Sequence, residues 1–383
     1  MNPLSLYIHI PFCVKKCAYC DFISHRVGDF EANKGVERYM EALKKELGHY
    51  EAVLSQSTIK TIYIGGGTPS AIEGALIHEL IDYIRKIADV DKKAEITIEI
   101  NPGTLTSEKL NHYLSAGINR VSMGLQTTND SLLTSLGRIH STNDFITTFN
   151  AVKAAGIDNV SLDLMFGLPN QTLQDIENAL SLIRTLKPTH VSAYSLKIEE
   201  GTPLYESYEA GKVTLPDEDL ERDMYHAIEK GLQTLGIDEY ELSNFSLPGY
   251  ESKHNLVYWK NEPYLGIGVS SHSKLSNTRF SNTSLIYQYI DALEAGNLPI
   301  DETDPIDKNE DLFESIILGL RLNRGINMSE FSDKYEINFI SKYKEVLENL
   351  LDQNLILIKE DTVILTEKGR DLANQVFLQF MVD

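Results

Sequence analysis

Short β-rich runs alternate with amphipathic segments along the first two thirds of the chain. The β-rich runs are LYIHI, TIYIGG, EITIEIN, RVSMGLQ, NVSLDLMFG and HVSAYSLKI, which lie near residues 5, 61, 95, 120, 159 and 190. Segments such as ERYMEALKKELGHYEAVL and GALIHELIDYIRKIADV lie between them and place apolar residues at helical spacing. This alternation predicts an α/β fold of parallel strands joined by crossover helices, in either a barrel or an open doubly wound sheet.

Polar residues on one face of several strands favour the barrel. The three isoleucines of EITIEI share one face, while Thr97 and Glu99 share the other. The same alternation places Gln126 and Asp163 opposite the aliphatic side chains of the next two strands. A strand covered by helices on both faces would be almost entirely apolar. We therefore predict a partial (β/α)6 TIM-like barrel whose lumen is polar near the carboxyl ends of the strands. The alternative is a set of core polar groups that satisfy one another.

A different pattern follows the barrel strands. After about residue 245 the chain becomes a loop-rich stretch, SLPGYESKHNLVYWKNEPYLGIGVSSHS, and then an acidic one, DETDPIDKNED. Three helical segments, two short strands (LILIKE and TVILT) and a last helix from Glu367 come next, in an order that resembles a winged helix. We predict a barrel over residues 1–240, a connector over 241–305 and a C-terminal helical, winged-helix-like domain over 306–383.

The charge balance narrows the classes of partner. The chain has 35 Lys and Arg residues against 56 Asp and Glu residues, a net charge of −21. This balance disfavours nucleic acid and suggests a packing or lid role for the winged-helix-like domain. The first residues, MNPLSLYIHIPFC, lack the features of a signal peptide, and no run reaches the roughly 18 apolar residues of a membrane span. We expect a cytoplasmic protein without a transmembrane segment.

The three cysteines lie together in the segment CVKKCAYC, as Cys13, Cys17 and Cys20. Such clustering is typical of metal ligands in a reducing compartment rather than of a disulfide framework. Three thiolates around a four-iron cluster would leave one iron without a protein ligand, as a catalytic zinc site leaves a position for its substrate. A structural zinc site with Asp21 or His25 as its fourth ligand is the alternative.

The segment CVKKCAYC resembles the signature of the radical S-adenosylmethionine (SAM) superfamily. The flanking YIHIPFC and the later GGGTPS resemble the coproporphyrinogen oxidase-like branch of that superfamily, and the resemblance covers nearly the whole chain. It implies a 4Fe–4S cluster on the three cysteines, with SAM bound at the open iron. It also implies reductive cleavage of SAM to methionine and a 5′-deoxyadenosyl radical, with the protein supplying orientation and electrostatics.

The resemblance further implies a SAM pocket beside the cluster. Residues at matching positions are expected to line this pocket and the adjoining cavity, and they are Tyr7, Tyr19, Gly66, Gly67, Thr68, Glu99, Gln126, Arg138 and Asp163. The carboxylates are expected to bind the ribose hydroxyls or the amino group, and Arg138 a carboxylate. A surface position is the alternative for Arg138. His9 either borders the pocket or is a hydrogen-bonded strand histidine.

Two features favour the HemW group of this branch, regarded as haem chaperones, over the coproporphyrinogen dehydrogenases. The dehydrogenases carry a further cysteine two residues after the third, where this chain has Phe22. They also have a longer N-terminal extension, whereas twelve residues precede Cys13 here.

The segment HNLVYW matches the HNxxYW motif associated with the HemW group. A neutral imidazole can ligate haem iron, so His254 is expected as an axial haem ligand. The alternative is that the motif anchors the connector onto the barrel.

The sequence thus predicts a haem chaperone that binds haem and a SAM-liganded 4Fe–4S cluster. It would transfer haem to an acceptor protein, for which a membrane-bound respiratory enzyme is a candidate. One alternative is an oxygen-independent coproporphyrinogen III dehydrogenase or another porphyrin-modifying radical SAM enzyme, so enzymatic activity stays open. An iron-sensing winged-helix regulator is disfavoured by the acidic charge.

Overall fold

The computed structural model describes residues 1–381, apart from the side chains of residues 31–33. The strands, in chain order, are β1 (Asn2–Ile10), β2 (Phe12–Cys13), β3 (His25–Arg26), β4 (Ser57–Gly66), β5 (Asp89–Ile100), β6 (Arg120–Gln126), β7 (Asn159–Phe166), β8 (His190–Ser195), β9 (Asp238–Glu241), β10 (Asn244–Ser246), β11 (Tyr264–Ile267), β12 (His272–Leu275), β13 (Thr278–Asn282), β14 (Ile300–Pro305), β15 (Ile326–Asn327), β16 (Ile356–Lys359) and β17 (Thr362–Leu365).

Helices separate most of these strands, and two short 3-10 segments, Val27–Asn33 and Pro69–Ala71, follow the cysteine loop and β4. The α-helices are α1 (Gly35–His49), α2 (Glu51–Leu54), α3 (Gly74–Ile87), α4 (Ser107–Ser115), α5 (Asp130–Ser135), α6 (Thr142–Ala154), α7 (Leu173–Leu186), α8 (Pro203–Glu209), α9 (Glu218–Gln233), α10 (Lys253–Trp259), α11 (Ile286–Glu294), α12 (Lys308–Leu320), α13 (Met328–Tyr335), α14 (Phe339–Lys342), α15 (Lys344–Asp352), α16 (Glu367–Asp371) and α17 (Ala373–Gln379).

The largest sheet among the described residues has the strand order β14-β13-β12-β11-β1-β4-β5-β6-β7-β8-β10-β9. Its six central strands are β1, β4, β5, β6, β7 and β8, and they are parallel to one another. Each is one of the six β-rich runs of the sequence, and helices connect them. The predicted partial (β/α)6 barrel is therefore confirmed.

Helix α3 shows how the sequence covers the outside of the sheet. Its buried side chains Ile77, Leu80, Ile81 and Ile84 recur at the i, i+3, i+4 and i+7 spacing of an amphipathic helix. They belong to the same hydrophobic core as the outward-facing strand residues, including Ile98, which is fully buried. The aliphatic face of each strand thus lies under its helix, and the opposite face lines the lumen.

The lumen has two regions of polar side chains. Deep in the barrel, Ser161 hydrogen-bonds Nδ1 of His190 (2.7 Å), and Nε2 of His190 hydrogen-bonds the Tyr240 hydroxyl (2.9 Å). These groups satisfy one another, as the alternative interpretation of the polar faces expected. Nearer the carboxyl ends of the strands, Glu99 and Asp163 face a cavity instead.

The stretch expected to be a loop-rich connector contains regular structure. Strand β11 pairs in parallel with β1, and β12, β13 and β14 extend the sheet as antiparallel neighbours. These strands are only four to six residues long, so the alternation along them is a weak signal. Pairing with the edge of β1, a long-range contact, is what orders them.

The C-terminal part of the chain builds a separate core from residues of α12 to α17 and of the sheet β15-β17-β16. The predicted helices and strands are present in the predicted order, with the short strand β15 added after α12. Tyr343 divides the third helix into α14 and α15, and Leu372 divides the last into α16 and α17. Residues 382 and 383 of the predicted domain lie outside the described residues. The domain boundaries stay predictions. Within residues 1–381, no helix has the length and apolar character that crossing a membrane requires.

Candidate metal and cofactor site

The three cysteines lie on the loop that leaves the carboxyl end of β1. Cys13 closes strand β2, which pairs with β3 and so holds the two ends of the loop together. Between them the amide of Ala18 donates to the carbonyl of Leu136 (2.9 Å), and the amide of Cys20 donates to the carbonyl of Cys17 (3.4 Å). The loop is therefore fixed against the end of α5, with its thiols toward the barrel mouth.

Burial raises the pKa values of two of the thiols, Cys13 and Cys20, and the pKa of Cys20 rises to about 11. The Thr68 hydroxyl donates to Sγ of Cys13 (3.4 Å), and Nη1 of Arg138 donates to Sγ of Cys17 (3.7 Å). Because thiolate is the metal-binding form, loading this site would release protons, and these two donors would then stabilise the negative sulfurs.

A cavity of about 180 Å³ opens beside the thiols. It is lined by all three cysteines and by most of the residues that the sequence predicted, namely Tyr19, Gly66, Gly67, Thr68, Glu99, Gln126, Arg138 and Asp163. Among the described residues, no three His, Cys, Asp or Glu side chains stand close enough together to hold one metal ion. Soft thiolate ligands around a shared cavity fit an iron–sulfur cluster, and the adjoining polar groups fit a small charged cofactor.

The glycine segment after β4 packs directly on the cysteine loop. The amide of Gly67 donates to the carbonyl of Ile10 (2.9 Å), and the amide of Thr68 donates to the carbonyl of Phe12 (2.8 Å). A β-carbon on Gly67 would lie 2.9 Å from backbone atoms of Phe12, so only glycine permits this approach. The amide of Gly66 donates to Oε2 of Glu99 (3.1 Å). The segment thus joins the cysteine loop to the first carboxylate of the cavity.

Two carboxyl groups of the cavity have raised pKa values. Burial raises the pKa of Glu99 to about 7, although the Tyr63 hydroxyl donates to its Oε1 (2.8 Å). Burial also raises the pKa of Asp163, which accepts a hydrogen bond from the Ser122 hydroxyl (3.2 Å). A cationic ligand would favour the ionised form of both groups. The pair is suited to an ammonium or to hydroxyl donors.

Arg138 lies inside the cavity, so its side chain is not a surface charge. Its Nη2 donates to Oδ1 of Asn101 (2.6 Å) and to the carbonyl of Gly124 (3.2 Å).

Gln126, at the end of β6, has a left-handed φ of 65° and follows a register shift against β7. Such a conformation costs on the order of 1 kcal/mol for a residue other than glycine.

Asn101 and Ser122 line this cavity but were not among the predicted site residues, although Ser122 was expected on the lumen face of its strand. Asn101 orients Arg138, and Ser122 donates to Asp163. Both signals were present, because Asn101 directly follows β5 and Ser122 shares the lumen face of β6 with Gln126. A single asparagine or serine gives no distinctive sequence signal. Only the folded barrel brings these side chains to Arg138 and Asp163.

Comparison with known proteins now identifies the family. The family model of the Radical SAM superfamily matches residues 7–183, and that of the HemN C-terminal domain matches residues 306–372. A protein of Bacillus subtilis (strain 168) named Heme chaperone HemW is 38% identical over 378 residues, which cover 98% of this chain and 99% of that protein. Heme chaperone HemW of Haemophilus influenzae is 36% identical over 100% of this chain and 99% of its own length.

The chain belongs to the HemW family. The fold is also that of the solved coproporphyrinogen III oxidase (HemN) from Escherichia coli, a radical SAM enzyme, with a TM-score of 0.85 and 24% identity over 99% of this chain and 90% of that one. At this identity the similarity shows the fold alone.

Two of the residues predicted for the HemW-type site lie outside the cysteine cavity. The first is Tyr7, whose hydroxyl hydrogen-bonds Nδ1 of His9 (3.0 Å). Nε2 of His9 lies 2.9 Å from the carbonyl of Ile23, so Nε2 carries the proton and Nδ1 accepts from Tyr7. His9 is thus a hydrogen-bonded strand histidine that ties β1 to the segment after the cysteines. Tyr7 lines a neighbouring cavity of about 470 Å³.

The second is His254, in the HNLVYW segment on α10. It is buried in the barrel, where Nδ1 hydrogen-bonds the Thr61 hydroxyl (2.7 Å) and Nε2 hydrogen-bonds the Tyr258 hydroxyl (2.8 Å). Its ring also stacks on Tyr63 at a centroid distance of 5.2 Å. Burial, and then the charge of Arg120, lower its pKa to about 3. Both ring nitrogens are engaged, which favours the anchoring interpretation of this HemW motif over iron ligation.

The last two residues of the motif, Tyr258 and Trp259, contact other parts of the molecule. Tyr258 packs edge-on against Tyr264 at a centroid distance of 4.7 Å, and both line the 470 Å³ cavity. Trp259 lies under the guanidinium of Arg321 from the C-terminal core, 4.4 Å from Cζ to the ring centroid. The motif therefore connects the barrel, the second cavity and the C-terminal core.

Proposed function

We propose that the protein is a haem chaperone that carries a SAM-liganded 4Fe–4S cluster and transfers haem to an acceptor protein. The observation that carries this proposal is the agreement over full length with relatives named Heme chaperone HemW, at 38% and 36% identity. The cavity in which three thiols meet the glycine segment and two carboxyl groups supports the cofactor part of the proposal.

In this proposal Cys13, Cys17 and Cys20 hold the cluster. When bound, cluster and SAM together supply a one-electron reduction that can cleave the cofactor. The residues of the chain position the ligand: Glu99 and Asp163 accept hydrogen bonds from its ammonium or hydroxyl groups. Arg138, already held by Asn101, is placed to bind a carboxylate while it also donates to a cysteine sulfur.

The acceptor of haem is proposed only as a class, a haem-requiring protein, with a membrane-bound respiratory enzyme as the candidate. Thiolate ligands need a reducing compartment, and we expect the protein to work in the cytoplasm.

One observation favours a second function. The motifs YIHIPFC and GGGTPS resemble the coproporphyrinogen oxidase-like branch, so oxidative decarboxylation of coproporphyrinogen III is the competing candidate. Phe22 stands where that group carries a further cysteine, and this difference favours the chaperone.

A single anaerobic experiment separates the two functions. The cluster is reconstituted, and haem binding is followed by the Soret band in parallel with coproporphyrinogen consumption and 5′-deoxyadenosine release. A chaperone binds haem stoichiometrically, passes it to an apo-haemoprotein and leaves coproporphyrinogen intact. Release of carbon dioxide in proportion to coproporphyrinogen consumed, without haem binding, would show that the protein is the enzyme.

A further inference from the structure

A second cavity lies next to the cysteine cavity, with a volume of about 470 Å³. This is within the range of roughly 300 to 1,000 Å³ typical of small-molecule sites. Phe22, two residues after the last cysteine, lines both cavities, so they are neighbours across one side chain. Besides Tyr7, its lining includes the side chains of His9, Asp21, Phe22, Tyr258, Tyr264 and His272.

The walls of this cavity suit a large flat ligand. Tyr258 and Tyr264 stand at 83° to each other, so one presents a face and the other an edge. Phe22 is 60% exposed, although it is the most apolar of these side chains. A large apolar side chain at the rim of an aromatic cavity is typical of a binding site rather than of bare surface.

The cavity contains two imidazoles, and only one of them is able to bind a metal. Both ring nitrogens of His9 are hydrogen-bonded, to Tyr7 and to Ile23. His272, at the start of β12, is exposed, and neither of its ring nitrogens bonds to another described residue within hydrogen-bonding distance. A β-carbon on Gly266 would collide with the His272 carbonyl. Glycine at 266 therefore lets the backbone of His272 approach β11 beside Tyr264.

A cation of the cysteine cavity, Lys16, lies beside Phe22, the residue that the two cavities share. Nζ of Lys16 donates to the carbonyl of Phe22 (2.9 Å), which holds this ammonium beside the aromatic wall. The chain as a whole has a net charge of −21. Asp21, which lines the cavity itself, carries the opposite charge, so an anionic group on the ligand, such as a propionate, would have to lie on the Lys16 side.

We propose that haem binds in this cavity with the imidazole of His272 as an axial ligand of its iron. Tyr258 and Tyr264 pack against the porphyrin, and Lys16 pairs with a propionate. This inference rests on the proposed haem-chaperone function and adds to it the position of the haem and the ligand of its iron. It also gives the HNLVYW segment a role in haem binding through Tyr258, whose hydroxyl His254 holds, without His254 on the iron.

The test is a haem titration of the full-length, cluster-loaded protein and of four variants, followed by the Soret band and by electron paramagnetic resonance of the ferric form. His272→Ala is expected to weaken haem binding at least tenfold and to change the spin state. His272→Met, which keeps a side chain able to ligate iron, is expected to bind haem with the spectrum of a thioether ligand. His49→Ala, at an exposed histidine of α1 away from the cavity, is the matched control and should bind as the unchanged protein does.

The fourth variant, Lys16→Gln, is expected to lower affinity without moving the Soret maximum. Circular dichroism and iron content check that each variant is folded and loaded. An unchanged spectrum and affinity in His272→Ala would refute the inference and leave the chaperone function standing. Failure of the unchanged protein to bind haem would instead refute the proposed function. Loss of binding in His49→Ala would show adventitious ligation by surface histidines, which also contradicts the inference.

Discussion

Replacement of His254 by alanine separates the anchoring role of this residue from a role as haem ligand. The side chain is buried and makes hydrogen bonds with Thr61 (2.7 Å) and Tyr258 (2.8 Å). Each bond contributes on the order of 1 kcal/mol, and the truncation also leaves two hydroxyls without their partner and a void where the ring was. We expect His254→Ala to lower the free energy of unfolding by about 3 to 4 kcal/mol at pH 7.5.

The same substitution should change how stability depends on pH. His254 is neutral in the folded chain, because its pKa is lowered to about 3. In the unfolded chain its pKa is near 6.5. Below pH 6.5 only the unfolded state takes up a proton here, so the stability that neutral His254 provides is complete above pH 6.5 and declines as the pH falls toward 3. The difference in unfolding free energy between the unchanged protein and His254→Ala should therefore shrink by about 2 kcal/mol from pH 7.5 to pH 5.

Urea denaturation at both pH values measures these differences, with His49→Ala as the control, which should stay within about 0.5 kcal/mol of the unchanged protein. Haem titration of the folded variant is expected to give the Soret maximum of the unchanged protein, with at most a modest loss of affinity because Tyr258 loses its hydrogen bond. A shifted Soret maximum together with unaltered stability would refute the anchoring role and restore His254 as the haem ligand.

Substitutions at three further residues test other contacts of the chain. Cys20→Ser should lose the iron content and visible absorption of the reconstituted cluster while keeping the circular dichroism of the fold, and a full complement of iron would contradict its role. The pKa of Glu99 is raised to about 7, so its ionised fraction, and with it SAM affinity in equilibrium dialysis, should rise about tenfold from pH 6 to pH 8. That rise should be absent in Glu99→Gln, and a rise that persists would assign it to another group. Arg321→Ala leaves the fully buried Glu241 without its ion pair (3.5 Å) and uncovers Trp259. It should cost about 2 kcal/mol in thermal denaturation, and less in Arg321→Lys, which keeps the positive charge. Unchanged stability in Arg321→Ala would contradict the role of this contact.

Much of the barrel could be predicted because its signals are local. Alternation along EITIEI decides which side of the sheet Glu99 faces, and the i, i+3, i+4 spacing of Ile77, Leu80 and Ile81 decides which side of α3 is buried. The strands after residue 260 were not predicted, because Gly266 and its neighbours carry little alternation. Their order depends on pairing with β1, which lies more than 250 residues earlier in the chain.

The candidate site, like the fold, could be predicted only in part from the sequence. The cysteine spacing and GGGTPS resemble known motifs, and together with the lumen-facing carboxylates they indicated most of the cysteine cavity. Asn101 was missed because its role is to orient Arg138 (2.6 Å), and such a contact has no sequence signature. His272 was missed for a related reason, since a single histidine in a weakly patterned segment acquires chemistry only from the side chains that fold around it.

The HNLVYW segment shows why a motif linked to a ligand need not supply the atom that binds it. The helix is seven residues long, and its first turn places His254 in the barrel while its last turn places Tyr258 at a cavity and Trp259 against Arg321. Loss of any one of these contacts moves the helix that carries the other two. Substitutions in the motif will therefore reduce haem binding through Tyr258 even where the iron ligand is intact. Only a spectroscopic change in the ligand of the iron, rather than a loss of affinity, can assign that ligand to His254 or to His272.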